Sequence, residues 1–221
     1  MKLFFQAIVK FILGVVLVGV LVFLPAGTLH YFNGWLFMGI LFIPMFFLGV
    51  VLLWKAPELL KKRLNAKEKM SDQQGVVAVS GLMFLAGFIV AGLDYRFGWS
   101  VMPKWVVIAA TVVFLISYGL YGEVMRENEY LSRTIEVQAG QKVIDTGLYG
   151  IVRHPMYMVT MWLFLSIPLV LGSWYALILF VAYPAVIAVR IRGEEKLLEA
   201  ELAGYKEYKK KVKYRMIPFI W

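Results

Sequence analysis

Two short stretches hold residue types that could do chemistry. The first is Gly147-Leu-Tyr-Gly-Ile-Val-Arg-His-Pro-Met-Tyr157. Pro155 disfavours helical geometry for His154 before it and suits the first position of a helix that follows. His154 is therefore expected at an N-cap-like corner with Arg153 just outside it. Free N–H groups and the positive end of the helix dipole would face this corner, which makes it a natural seat for a carboxylate. The same two residues also suit a plainer part, as interfacial anchors that snorkel to lipid headgroups.

The second stretch is Arg190-Ile-Arg-Gly-Glu-Glu-Lys-Leu-Leu198. On a helix, Arg190 and Glu194 are four apart and Arg192 and Glu195 three apart, so each pair shares a face. Glutamates here would attract a cationic ligand or accept from hydroxyls; the alternative is a salt-bridged helix face. A third stretch, Arg126-Glu-Asn-Glu-Tyr-Leu-Ser-Arg133, offers Asn128, Ser132 and Arg133 either to a substrate headgroup or to capping of a helix end. The chain has no cysteine and two histidines, His30 and His154. A disulfide framework, a thiolate zinc site and a multi-histidine metal centre are thereby excluded, and no metal is expected.

Long apolar helices must position these stretches. Of 221 residues, 61% are hydrophobic, and the mean hydropathy is +0.74, well above soluble domains. A helix crossing the hydrocarbon core needs about 20 mainly apolar residues. Runs at 4–24, 31–54, 76–93 and 105–121 qualify, and two shorter ones, 156–171 and 174–189, flank Gly172-Ser173 as a tight hairpin. The fold class is all-α: a polytopic integral membrane protein with about six transmembrane segments. Beyond them, Leu198, Leu202, Tyr205, Tyr208 and Val212 recur at helical spacing, predicting a C-terminal amphipathic helix that lies on the membrane or caps the site. Pro218-Phe-Ile-Trp221 reads as an aromatic interface anchor. Residues 1–221 form one membrane domain, with transmembrane helices in 1–122 and the chemistry in 123–221.

Of 23 Lys and Arg, 21 fall at alternate ends of these spans and so on one side. The positive-inside rule makes that side cytoplasmic, with both termini and the two chemical stretches there. The net charge of +9 then speaks for membrane lipids as partners and against nucleic acid. The first span is expected to stay in place, because it is long for a signal peptide and its removal would break the alternation. There is no Gly-x-Gly-x-x-Gly or phosphate-binding glycine loop, so a soluble Rossmann-type cofactor domain is excluded. Composition gives no oligomeric state.

Taken together, these motifs resemble the isoprenylcysteine carboxyl methyltransferase family, related to phospholipid N-methyltransferases and with many prokaryotic members. The resemblance runs over about residues 91–221. It is carried by Leu93-Asp-Tyr-Arg-Phe-Gly-Trp-Ser100, Arg126-Glu-Asn128, Ser132-Arg133, Gln141 to Gly147, Tyr149, Val152-Arg-His-Pro-Met-Tyr157, Leu171-Gly-Ser-Trp174, Arg190-Ile-Arg, Glu194-Glu195, Gly204-Tyr, Tyr208, Arg215 to Pro218 and Trp221. It implies an S-adenosylmethionine-dependent enzyme of a prokaryotic cytoplasmic membrane. Tyr149, Val152, Arg153, His154, Pro155 and Tyr157, with Glu194 and Glu195, would bind the cofactor. Arg190, Glu194 and Glu195 would shape the active site, and Arg190 and Arg192, with Asn128, would orient the acceptor. That acceptor is lipidic or a small molecule: an isoprenoid carboxylate first, otherwise a phospholipid amine or a thiol. Leu148 and Gly150 depart from the family pattern, which usually has Pro and a larger residue there. An NADPH-dependent membrane reductase of related fold and a non-catalytic scaffold are the rival readings.

Overall fold

A computed structural model describes residues 2–65, 71–132 and 134–221. Lys67 and Lys69, two of the basic residues between the second and third apolar runs, and Arg133, a candidate for a substrate headgroup, lie outside them. The described residues form α1 (Lys2–Ala26), α2 (Phe32–Lys55), α3 (Pro57–Leu64), α4 (Ser71–Phe97), α5 (Lys104–Glu127), a 3-10 turn (Gly147–Gly150), α6 (Pro155–Leu171), α7 (Trp174–Phe180), α8 (Tyr183–Glu201) and α9 (Tyr205–Lys211), with no strand among them. The protein is a polytopic, all-α membrane protein.

Among the described residues, five helical stretches are long and apolar enough to cross a membrane: Lys2–Ala26, Phe32–Lys55, Gln73–Phe97, Lys104–Glu127 and Trp174–Glu201. At 1.5 Å per residue, the first four alone run about 36–38 Å, longer than the ~30 Å hydrocarbon core. The 17 residues of α6 make only about 25 Å, so the first arm of the hairpin is the short one. Large apolar side chains such as Phe5, Phe47, Leu82 and Ile108 are exposed. That surface is untenable in water and normal against lipid tails.

One buried core joins α1, α2 and α4 to α8, through Val22, Phe37, Phe114, Ile167, Phe180 and Ile187 among others. Where α1 and α4 meet, Gly92 lets the backbones touch: a Cβ there would sit 2.6 Å from the Val22 carbonyl oxygen. Small residues at such crossings let membrane helices pack closely, since tails as apolar as leucine give no hydrophobic drive.

At the end away from the basic residues, two of the sequence motifs lock together. Buried Asp94 accepts from the Ser100 N–H at 2.7 Å, the Ser100 hydroxyl at 2.6 Å and the Ser173 hydroxyl at 2.5 Å. Ser173 in turn caps α7 by accepting from Ala176 N–H. Gly172, at φ 81°, takes the left-handed conformation that ends α6 and starts this turn.

Three features differ from the sequence reading. The last span does not stop at residue 189: α7 and α8 form one long stretch that turns at Val181-Ala182 and carries Arg190 to Glu195 on its basic end. Pro184 in the first turn of α8 lacks an N–H and clashes with the preceding turn, which explains the break. The C-terminal amphipathic segment is two pieces, the end of α8 and α9, parted at Leu202-Ala-Gly204. The basic connection after α2 also holds an unanticipated helix, α3. Pro57 begins it, Glu58 sits in its first turn and Lys61, Lys62 and Arg63 in its last, the polarity a helix dipole favours.

Candidate functional site

The loop before α6 and the chain after α9 are stitched by their backbones. Arg153 N–H donates to the Tyr214 carbonyl at 2.9 Å and His154 N–H to that of Arg215 at 2.8 Å. His154 is the N-cap of α6 and Pro155 its first residue, as the proline predicts. Its backbone carbonyl receives the N–H groups of Tyr157 and Met158.

Around this corner lies a buried charge network centred on Glu195. One carboxylate oxygen accepts from Arg153 Nε at 2.7 Å and lies 3.4 Å from His154 Nε2. The other accepts from Arg215 Nε at 2.9 Å and lies 3.9 Å from Lys209 Nζ. Arg153 spends a further donor on the carbonyls of Val212 and Lys213, at 2.7 and 2.8 Å. The side chains of Arg153 and Glu195 are about 5% and 4% exposed, so each charge is matched by partners within the fold, as burial demands.

Glu194 stands on the other side of His154, with one carboxylate oxygen 4.0 Å from Nδ1. Its second oxygen accepts from the Tyr157 hydroxyl at 2.6 Å, and that hydroxyl accepts from Arg190 Nε at 3.0 Å. Arg190 and Glu194, four apart on α8, thus meet through a tyrosine of α6. The expected Arg192–Glu195 pair does not form: Glu195 is taken by arginines from two other segments, and Arg192 points to the exposed surface.

Four tyrosines complete the corner. Asn128, at the C-cap of α5, accepts from Tyr130 N–H through Oδ1 and donates through Nδ2 to the Tyr149 hydroxyl at 2.9 Å. Tyr208 donates to the Tyr149 carbonyl at 2.7 Å. Tyr205, 3% exposed, has a hydroxyl with no hydrogen-bond partner among the described residues. Burial first, and then the charges of Glu195 and Glu194, push its acidity far below that of free phenol, so it stays a proton donor.

A cavity of about 1310 Å³ connects these groups to the apolar interior. Asn128, Tyr149, Arg153, His154, Pro155, Tyr157, Arg190, Glu194, Tyr205 and Tyr208 line its polar end, and Phe11, Met45, Val77 and Phe84, from α1, α2 and α4, line its apolar end. Val152, fully buried, and Glu195 are behind this wall, and Arg192 is away from it. Sequence reasoning gives Tyr205 only a place on the amphipathic helix and names no site role for Arg215, Glu127 or Arg63. Tyr205 and Arg215 stand within recognised motifs, but nothing local to them signals their partners. Glu127 accepts from the Leu148 N–H at 3.2 Å and packs against Gly147, fastening the 3-10 turn.

The amphipathic residues cap this region. Leu202, Tyr205, Tyr208 and Val212 bury against Val137, Val143 and Leu198. The lysine run serves the same docking, with Lys209 paired to Glu199 and Lys211 to Asp145 at 2.6 Å. The final anchor is divided: Phe219 and Ile220 are exposed, whereas Trp221 packs on the core and under the Arg215 guanidinium.

Residues 107–200 match the Isoprenylcysteine carboxyl methyltransferase (ICMT) family, so the resemblance read from the motifs holds over that segment. The chain is 31% identical over 91 residues to Delta(14)-sterol reductase TM7SF2 of Mus musculus, covering 40% of this chain and 22% of that protein. It is 32% identical over 96 residues to the uncharacterized protein YpbQ of Bacillus subtilis (strain 168), covering 43% of this chain and 56% of that one. The chain thus matches little more than half the length of one relative and under a quarter of the other.

Proposed function

Given a membrane-embedded segment of the methyltransferase family, we propose that this protein transfers a methyl group from S-adenosylmethionine to a lipidic acceptor, a carboxylate in the first instance. The basic face, where the site lies, is the cytoplasmic one by the positive-inside rule. One observation carries the reading: a cavity has hydrogen-bonding and charged walls at one end and apolar helix walls at the other. A water-soluble cofactor and a lipid-soluble acceptor can meet there.

The polar end fits the cofactor chemically. The orphaned Tyr205 hydroxyl needs a partner, because an unsatisfied buried hydroxyl costs about 1–3 kcal/mol. Glu194 and the faces of Tyr149 and Tyr157 suit a positively charged sulfur, through charge and through the ring quadrupole. His154, at the start of α6, faces the cavity beside them. Bound S-adenosylmethionine would supply an activated methyl group to an acceptor held against it. Glu195, which does not line the cavity, pairs with Arg153 and Arg215 to hold the α6 corner, the last helices and the tail in register. Glu194 and Tyr157 are the residues that touch the reactants, and Arg190 orients both through the Tyr157 hydroxyl.

A carboxylate acceptor is ionised at neutral pH, so the chain need only position and desolvate it; positioning is worth roughly 7–11 kcal/mol in favourable cases. An amine acceptor would have to lose a proton first, and Glu194 is the base within reach of the cavity. The test is transfer of labelled methyl from S-adenosylmethionine into lipid extracts by protein in nanodiscs. Base-labile label supports a carboxyl ester, and base-stable label in an amine or thioether moves the acceptor class. Label in no lipid contradicts the reading.

The partial match to a sterol reductase favours a second reading, hydride transfer from a nicotinamide cofactor. NADPH binding separates the two.

A further inference from the structure

Arg63 lies in the last turn of α3, on the connection between α2 and α4 and outside the family match. Its side chain is half-buried and lines the cavity. Nη1 donates to the Ser132 carbonyl at 3.3 Å and lies 3.8 Å from Met156 Sδ. Nη2 donates to the Tyr121 hydroxyl, and the guanidinium sits 5.5 Å from the centre of the Tyr121 ring. All these partners are neutral. Among the described residues no carboxylate pairs with Arg63, whereas Arg153 and Arg215 share Glu195, and Arg190 reaches Glu194 through Tyr157.

A cation drawn partly out of water calls for an opposite charge, and the guanidinium fork matches a carboxylate. Met156 precedes Tyr157 on α6, so Arg63 is beside the polar end of the cavity, with the apolar walls of α1, α2 and α4 running away from it. We propose that Arg63 reads the charge of the acceptor, pairing with its carboxylate while the apolar chain lies along those walls. This rests on the methyl-transfer reading of the same cavity. It adds the residue that selects an anionic acceptor, a part that exposed Arg192 is not placed to play.

The test compares hexadecanoate with hexadecanamide, which share a chain and differ in charge, on protein in nanodiscs. The wild type is expected to bind the acid at least tenfold more tightly than the amide. In Arg63→Gln, or in Arg63→Met if the first does not fold, that ratio is expected to fall to about one while S-adenosylhomocysteine binds as before. A folded neutral variant that keeps the ratio, or a wild type with no preference, overturns the proposal. Loss of the ratio in a protein that binds no S-adenosylhomocysteine even as wild type would sink methyl transfer and leave the charge-selective site standing.

Discussion

Tyr205 and Glu195 lie close together and take opposite parts. The phenol lacks a partner within the described fold; the carboxylate has more than it needs. Tyr205→Phe is therefore expected to leave thermal stability of the ligand-free protein unchanged or higher, while weakening S-adenosylhomocysteine about three- to tenfold, the worth of one hydrogen bond. Glu195→Ala strands Arg153 and Arg215, and should cost about 3–5 kcal/mol of stability, read as a lowered unfolding midpoint. Glu194→Gln, at a partly exposed position, should keep the midpoint and lose most turnover. Equal loss of stability in the Glu194 and Glu195 variants would contradict this division. At this scale the sequence was legible where the signal is local. Pro155 announces the corner at His154, and Arg190 with Glu194 share a helix face. Partners distant along the chain were not legible: Arg215 reaches Glu195 from the tail, and this is why the helix-face pairing of Arg192 with Glu195 was not realised.

Helices follow from apolar runs, so α1, α2, α4 and α5 could be read with small errors at their ends. Breaks and short helices depend on subtler cues. Pro184 ends α7 inside an apolar run, and α3 is too short and too basic for periodicity to reveal, although Pro57 and the charge order of its turns were visible. Close approach is likewise invisible without coordinates. Gly92 sits in an unremarkable apolar stretch, yet a side chain there meets the backbone of α1. Gly92→Ala is expected to destabilise by about 1–3 kcal/mol through overpacking, measured by thermal unfolding in nanodiscs. An unchanged midpoint would mean that α1 and α4 are not held at this distance.

For the whole molecule, the one-sided distribution of charge predicts an orientation with the basic face cytoplasmic. The chain has no cysteine, so single cysteines can report it cleanly. Cysteine at Lys61 or Lys206 should be shielded from an impermeant maleimide in intact cells and react after lysis, whereas cysteine at Gly98 should react from outside. The reverse pattern would put the site on the wrong side for a cofactor made in the cytoplasm. Polytopic architecture could be read from the apolar runs and the placement of charge, but the cavity could not, because it is built from α1, α2 and α4 together with a distant loop, α6, α8 and α9.

The central claim is that the polar end of this cavity holds S-adenosylmethionine. Calorimetric titration of S-adenosylmethionine, S-adenosylhomocysteine and NADPH into the nanodisc-embedded protein tests it most directly. Binding of the first two with no heat from NADPH is the predicted result; binding of NADPH alone, or of none of the three, would contradict it.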